Sequence, residues 1–374
     1  VVTVIARQES SWFPVRRRPG RIGAVEITRL LVFQCVLVLV LLAATRELWL
    51  TIVGAVLGGL VLVGVFGRTG RRWWTELLMS WLRYRARRGR AHGAGGSDGD
   101  ARLAALRELV PDLVVETAEG GAAAGSVGMA GDGAGWYSVL AVRGAGTAHS
   151  SPPVPLSELA RMASEAEQPG VVIQVVSART ARRHQDVWVA VRLDAQAVAE
   201  SVVDASDGGS DVDVPQVLAE MTRRAGRLLS RSGLEARPLD ADGLIDALAR
   251  SCDLLGAELS STAHERWEGW HSTQWTHTCF WLRSWPDPDR GGWLLAALAE
   301  VPAALVSIAV VLEPAREDVD LCCLVRLADR GESHRSACAA VSSLAERAGA
   351  ELYRLDGEHA PAVYASAPSG GGAR

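Results

Sequence analysis

The chain has 374 residues, 39 basic and 43 acidic side chains, and a formal charge of -4. Every basic side chain is Arg, which excludes the usual chemistry of P-loop NTPases, protein kinases and pyridoxal enzymes, each of which needs a Lys on the phosphates or the cofactor. Charge is uneven: residues 1–92 carry 15 Arg against four acids and residues 93–374 carry 24 Arg against 39 acids, so the acidic body is no general nucleic-acid binder.

Residues 1–29 form a basic N-terminal segment, and Val1 reads as a GTG start codon translated literally. Two runs without charge follow, 30–45 and 48–67, separated by Arg46 and Glu47. As helices they are roughly 24 and 30 Å long against about 30 Å of bilayer hydrocarbon, so a transmembrane hairpin is expected over 30–67. A cleaved signal peptide does not explain the second run. Arginines crowd both outer ends of the hairpin, which places both termini in the cytoplasm and the body in the cytosol. Arg29 is expected to snorkel to the interface. Gly54 and Gly58 form a small-xxx-small face for helix packing.

Residues 68–92 read as a juxtamembrane amphipathic helix. Trp73, Trp74, Leu77, Leu78 and Trp81 recur at helical spacing, and Arg68, Arg71, Arg72 and Arg83 are placed to meet anionic membrane lipid. A flexible Gly-rich linker follows at 93–100, then a cytosolic body over 101–357 and a C-terminal tail over 358–374.

Within the body, helices are predicted at 101–109, 156–167, 215–232, 244–254, 293–298 and 333–348. Strands are predicted at 113–117, 136–142, 171–177, 186–193, 271–285, 304–312, 320–328 and 351–355. This interleaving indicates a mixed-sheet α/β or α+β body.

Motif-like stretches mostly fail on spacing. The glycine-rich 128–133 precedes a strand and lacks the helix N-terminus that a phosphate loop needs, so it reads as a hairpin loop. His264-Glu265 lacks the second His of a zinc-protease helix. The acidic stretch 204–213 lacks calcium-loop spacing and reads as a solvated turn. Of six cysteines, adjacent Cys322 and Cys323 point to opposite faces of a strand, and reduced thiols are expected. No cofactor, metal or catalytic residue is expected.

Between 267 and 285, Trp267 and Trp270 precede an alternating segment in which Trp275, His277, Cys279, Trp281, Arg283 and Trp285 share one strand face. Packing is the favoured reading, ahead of a partner surface built on Trp267, Trp270, Trp275, Trp281 and Trp285. A His-x-Cys metal or catalytic half-site comes last.

This layout resembles the EccE component of type VII (ESX) secretion systems. The resemblance lies in the N-terminal hairpin, the Trp/Arg segment Trp73-Trp74 through Trp81-Leu82-Arg83-Tyr84-Arg85, the stretch 112–117, the Trp-rich strand 278–286 and the terminal 354–359. It implies a structural, non-enzymatic subunit of a core complex in the bacterial inner membrane, beside EccB, the ATPase EccC and EccD. The competing expectation is a membrane-tethered transferase acting on lipid-linked substrate through the 264–285 cluster.

Overall fold

The computed structural model describes residues 21–22, 25–45, 48–69, 72–90, 100–119, 126–144, 154–166, 168, 170–181, 184–195, 197–198, 213–255, 263–272, 274–314 and 319–371. The linker at 93–99, most of the N-terminal segment, Arg71 and the acidic stretch 204–212 therefore lie outside the described residues. The chain divides into two compact units, one within Trp12–Arg90 and one carrying everything from Ala91 onward.

In the first unit the two apolar runs are helices, α1 (Ile27–Ala44) and α2 (Leu48–Phe66), packed on each other. A Cβ at Gly58 would lie 2.7 Å from Val36 Cγ1, so the missing side chain is what lets the two backbones approach. Among the described residues no helix is long and apolar enough to cross a membrane. Described side chains in the pair cover 31–42 of α1 and, in α2, Trp49 and 51–66. The expected transmembrane hairpin thus stands here as two packed helices without a described span. A third helix, α3 (Trp74–Arg90), follows a two-residue β-bridge, Arg68–Thr69 on Arg72–Trp73.

The second unit is built on one twelve-stranded sheet. A helix, α4 (Ala101–Leu109), capped by the Asp100 side chain, leads into β1 (Val114–Glu119), β2 (Ser126–Gly131) and β3 (Gly135–Gly144). Next come α5 (Leu156–Ser164), β4 (Val171–Thr180), β5 (Gln185–Asp194), α6 (Val214–Arg231) and β6 (Leu234–Pro238). The same series then recurs: α7 (Ala241–Ser251), β7 (His264–Arg266), β8 (Gly269–His271), β9 (Thr276–Ser284), α8 (Pro288–Ala299), β10 (Leu305–Pro314), β11 (Val319–Asp329), α9 (Gly331–Ala348) and β12 (Glu351–Arg354). A last helix, α10 (His359–Ala365), has no counterpart in the first series.

The second unit is therefore built as an internal repeat. Each half contains a β-α-β-β-α-β unit with sheet order β6-β3-β5-β4 or β12-β9-β11-β10, which is the split-βαβ, ferredoxin-like arrangement. The halves join where β4 pairs β10 antiparallel, Leu305 opposite Thr180 through Leu312 opposite Ile173. A mixed sheet was the expectation, yet every pairing in this sheet is antiparallel. The reason is topological: each β-α-β crossover skips one position, filled by an antiparallel strand, β5 between β3 and β4 and β3 between β5 and β6.

One sheet face carries α5, α6, α8 and α9 over a core that includes Leu140, Ile173, Val191, Leu218, Ile308 and Val325. Helix α6 is 18 residues long, starts on the Asp213 cap with Pro at its first turn, and ends before Gly233, φ +78°. Helix α9, also 18 residues, ends before Gly349, φ +77°. Only Gly enters that region without a Cβ clash, so Gly349→Ala is expected to cost about 1 kcal/mol. A shift of the urea midpoint with unchanged slope is the check.

The opposite face is closed by the C-terminal segment, expected as a tail. Residues His359, Ala362, Val363, Tyr364, Ala365 and Ala367 are buried there. Gln174 of β4 donates through Nε2 to Ala365 O at 2.7 Å and accepts from the backbone N of Ser369 and Gly370 at 3.1 and 2.8 Å. The glycine-rich 128–133 also departs from expectation, since 126–131 pairs with β1 as a strand.

Candidate functional site

The 264–285 segment forms β7, β8 and β9 at one end of the sheet. Register sends His277, Cys279 and Trp281 to the face closed by α10, and all three are buried. A β-bulge between Leu282 and Ser284 breaks the alternation. Trp285 thereby leaves that face, packs against the helix-side core and donates its indole N–H to Leu321 O at 3.2 Å. The six-residue face read from the sequence is therefore divided. Trp270 is buried edge-on to His277, ring centroids 5.0 Å apart, whereas Trp267 and Trp275 are half-buried.

His277 belongs to a buried polar chain. Arg326, fully buried on β11, donates from Nη1 towards His277 Nδ1 at 3.5 Å and from Nη2 to Ser251 Oγ at 3.0 Å. A guanidinium only donates, so Nδ1 accepts and the ring proton sits on Nε2, facing Ser272 Oγ at 3.3 Å. Ser272 in turn donates to Asp253. Among the described residues the Arg326 Nε–H has no hydrogen-bond partner.

Burial lowers the His277 pKa to about 4; Arg326 pushes the same way, and Asp253 opposes. In an unfolded chain His titrates near 6.5. The unfolded state thus binds the extra proton between those values. The stability His277 contributes is complete above pH 6.5 and is lost progressively as pH falls towards 4, by about 1.4 kcal/mol per unit. Urea midpoints across pH 4 to 7 should fall towards acid, and His277→Gln should flatten that dependence.

The thiols are poor nucleophiles. Burial pushes Cys279 up to about 12 and Cys252 to about 11. The Cys279 backbone N donates to His359 Nδ1 at 3.2 Å, so that ring nitrogen is an acceptor. Among the described residues no group of three or more His, Cys, Asp and Glu is placed to hold a metal.

A second buried network escaped the sequence reading. Arg192 of β5 makes a bidentate pair with Asp132, at 2.8 and 2.7 Å, and donates to Ser369 O at 3.1 Å. Tyr364 donates to Asp132 Oδ2 at 3.3 Å and shares a 2.8 Å bond with Tyr137. Burial opposes the Arg192 charge, and Asp132 outweighs it and holds the pKa up. Arg192 and Arg326 occupy matching hairpin positions, opposite Val172 and Ser307. The available signal was a lone Arg inside an apolar strand, Val191-Arg192-Leu193 and Val325-Arg326-Leu327.

In the first unit, α3 exposes Trp74, Leu78, Met79, Trp81 and Leu82, and Arg85 stacks over the Trp81 ring at 5.2 Å. Arg83 is half-buried on the same helix. Arg29, Arg68, Arg72 and Trp73 are placed in backbone only. Gly54 lies on α2 one turn before Gly58.

The family model described as "Putative type VII ESX secretion system translocon, EccE" matches residues 181–282. The chain resembles EccE. The EccE match begins in the β4–β5 turn and runs into β9, so it contains Arg192, α6, α7 and the Trp270, His277 and Cys279 positions. It covers about a quarter of the chain and stops before Trp285. No curated protein matches. Eleven solved chains do, among them "Crystal structure study of anthrone oxidase-like protein". That one is 12% identical over 64% of this chain and 92% of its own, with a TM-score of 0.16, too low to carry an argument.

Proposed function

We propose that this protein is a structural, non-catalytic, membrane-anchored subunit of a type VII secretion core complex, bracing the assembly from the cytosolic side. The EccE match over 181–282 carries this reading. In it the α1–α2 pair is the anchor. The uncharged runs 30–45 and 48–67, which these helices carry, support that reading by composition. Both termini lie in the cytoplasm, following the arginine excess outside the pair. The exposed Trp74, Leu78 and Trp81 stripe of α3 lies in the headgroup region, with its arginines on anionic lipid. The partners in this reading are EccB, the ATPase EccC and EccD.

Burial of His277 and Cys279 counts against the transferase alternative, whose cluster also holds the exposed His264 and the half-buried His271. His277 and Cys279 are sealed from solvent, and a thiol held near 12 carries almost no thiolate at neutral pH. Affinity purification of the tagged full chain from its native membrane in mild detergent, with mass spectrometry of the recovered proteins, tests the proposal. Recovery of a membrane ATPase with multi-pass secretion subunits is expected; recovery of this chain alone as a small monodisperse particle overturns it.

A further inference from the structure

The duplication supplies an internal control for the helix layer. The burial patterns of α6 and α9 align at an offset of 116 residues: Leu218, Met221, Ala225 and Leu229 against His334, Ala337, Val341 and Ala345. At that offset Arg223, Arg224 and Arg227 match Ala339, Ala340 and Ser343. Likewise α5 and α8 align through Leu159 and Ala163 against Leu294 and Leu298, which sets Arg161 against Ala296. Small neutral residues serve at the places of Arg161, Arg224 and Arg227 in the same fold, so packing does not require those three, whereas Arg231 is matched by Arg347 at the same offset.

Arg161, Arg224 and Arg227, with Arg231, rim a groove of about 390 Å³ between α5 and α6 that is floored by Met162 and Leu228. Internal compensation is thin. Arg161 and Arg224 share Glu165 at 4.0 Å each, and Arg227 shares Glu220 with Arg223. Among the described residues Arg231 has no carboxylate within bridging distance. On a body with a large excess of acids, this is a local cationic strip over an apolar floor.

We infer that this groove docks an acidic amphipathic helix of a protein partner. An apolar ridge would fill the floor over Met162 and Leu228, while carboxylates one turn apart meet Arg224, Arg227 and Arg231. A compact phosphate fits less well, because Glu158 and Glu165 line the same groove. Carboxylates spaced along a helix bypass those two acids, and opposite potentials speed the encounter. The inference concerns the body alone and holds whether or not α1 and α2 span a membrane.

The test is photo-crosslinking of the full chain in its native cells, with benzoyl-phenylalanine at Glu158 and, as control, at Trp293, the matching exposed position on α8. The expected result is an adduct from 158, not from 293, to a protein segment with Asp or Glu at helical spacing. Its yield should fall about tenfold in Arg224→Glu/Arg227→Glu, equivalent to about 1.4 kcal/mol, and recover when the captured acids are reversed to Arg. The milder Arg231→Ala should lower it about threefold and guards against a folding defect in the double variant. An adduct to lipid, no adduct, a captured segment without acidic excess, or yields unchanged by charge reversal would each overturn the inference.

Discussion

Asp132→Ala is expected to destabilise the body by about 3–5 kcal/mol, because it leaves the Arg192 guanidinium buried without its carboxylate. Two short charge-assisted bonds disappear, and Tyr364 loses an acceptor on the segment that closes the sheet. The reverse change, Arg192→Leu, strands Asp132 in the same dry environment. Together the two should cost less than their sum, since an apolar pair of similar volume removes both charges at once. Urea unfolding followed by tryptophan fluorescence, arranged as a double-mutant cycle, measures this directly. A loss under 1 kcal/mol for Asp132→Ala would show that water reaches the pair.

Ending the chain after Glu358 is expected to abolish the cooperative unfolding transition altogether. The segment removed carries the buried side chains of Tyr364, His359, Val363, Ser366 and Ser369 with several buried alanines, and its backbone satisfies the Gln174 side chain on β4 and the Ser307 hydroxyl on β10. These are the two strands at which the halves meet. Lost apolar burial and newly orphaned polar groups together approach the few kcal/mol by which most domains are stable. Circular dichroism against temperature should show a broad, sloping melt; a sharp transition near that of the parent would mean α10 is only an accessory.

Several elements were legible because local chemistry and tertiary role agree. Asp213, Pro215 and Gly233 mark both ends of α6, and alternating apolar residues mark β5, β10 and β11. Helix α10 was not legible: Pro361 and the run of Ala, Ser and Gly after it read as a tail, and its burial comes from a sheet face assembled by distant strands. Strand β1 was read at 113–117, but β2, β7 and β8 hide in Gly-rich or three-residue stretches with too few alternations to count. At the 267–285 cluster, alternation grouped His277, Cys279 and Trp281 as found, but no local pattern announces the bulge that carries Trp285 away. The Arg192–Asp132 pair joins residues sixty positions apart, and only the sheet register brings them together.

The seam between β4 and β10 gives this chain a property of a gene fusion. Cut in the short connection before α7, each half would expose a long strand edge, Val171–Thr180 or Leu305–Pro314, that is apolar on both sides and ends one complete sheet. Two copies of one half could then pair through that edge, as could two complementary fragments. Tethering holds the correct edge at high effective concentration and leaves the exposed edges to other copies only during synthesis, before the second half has emerged.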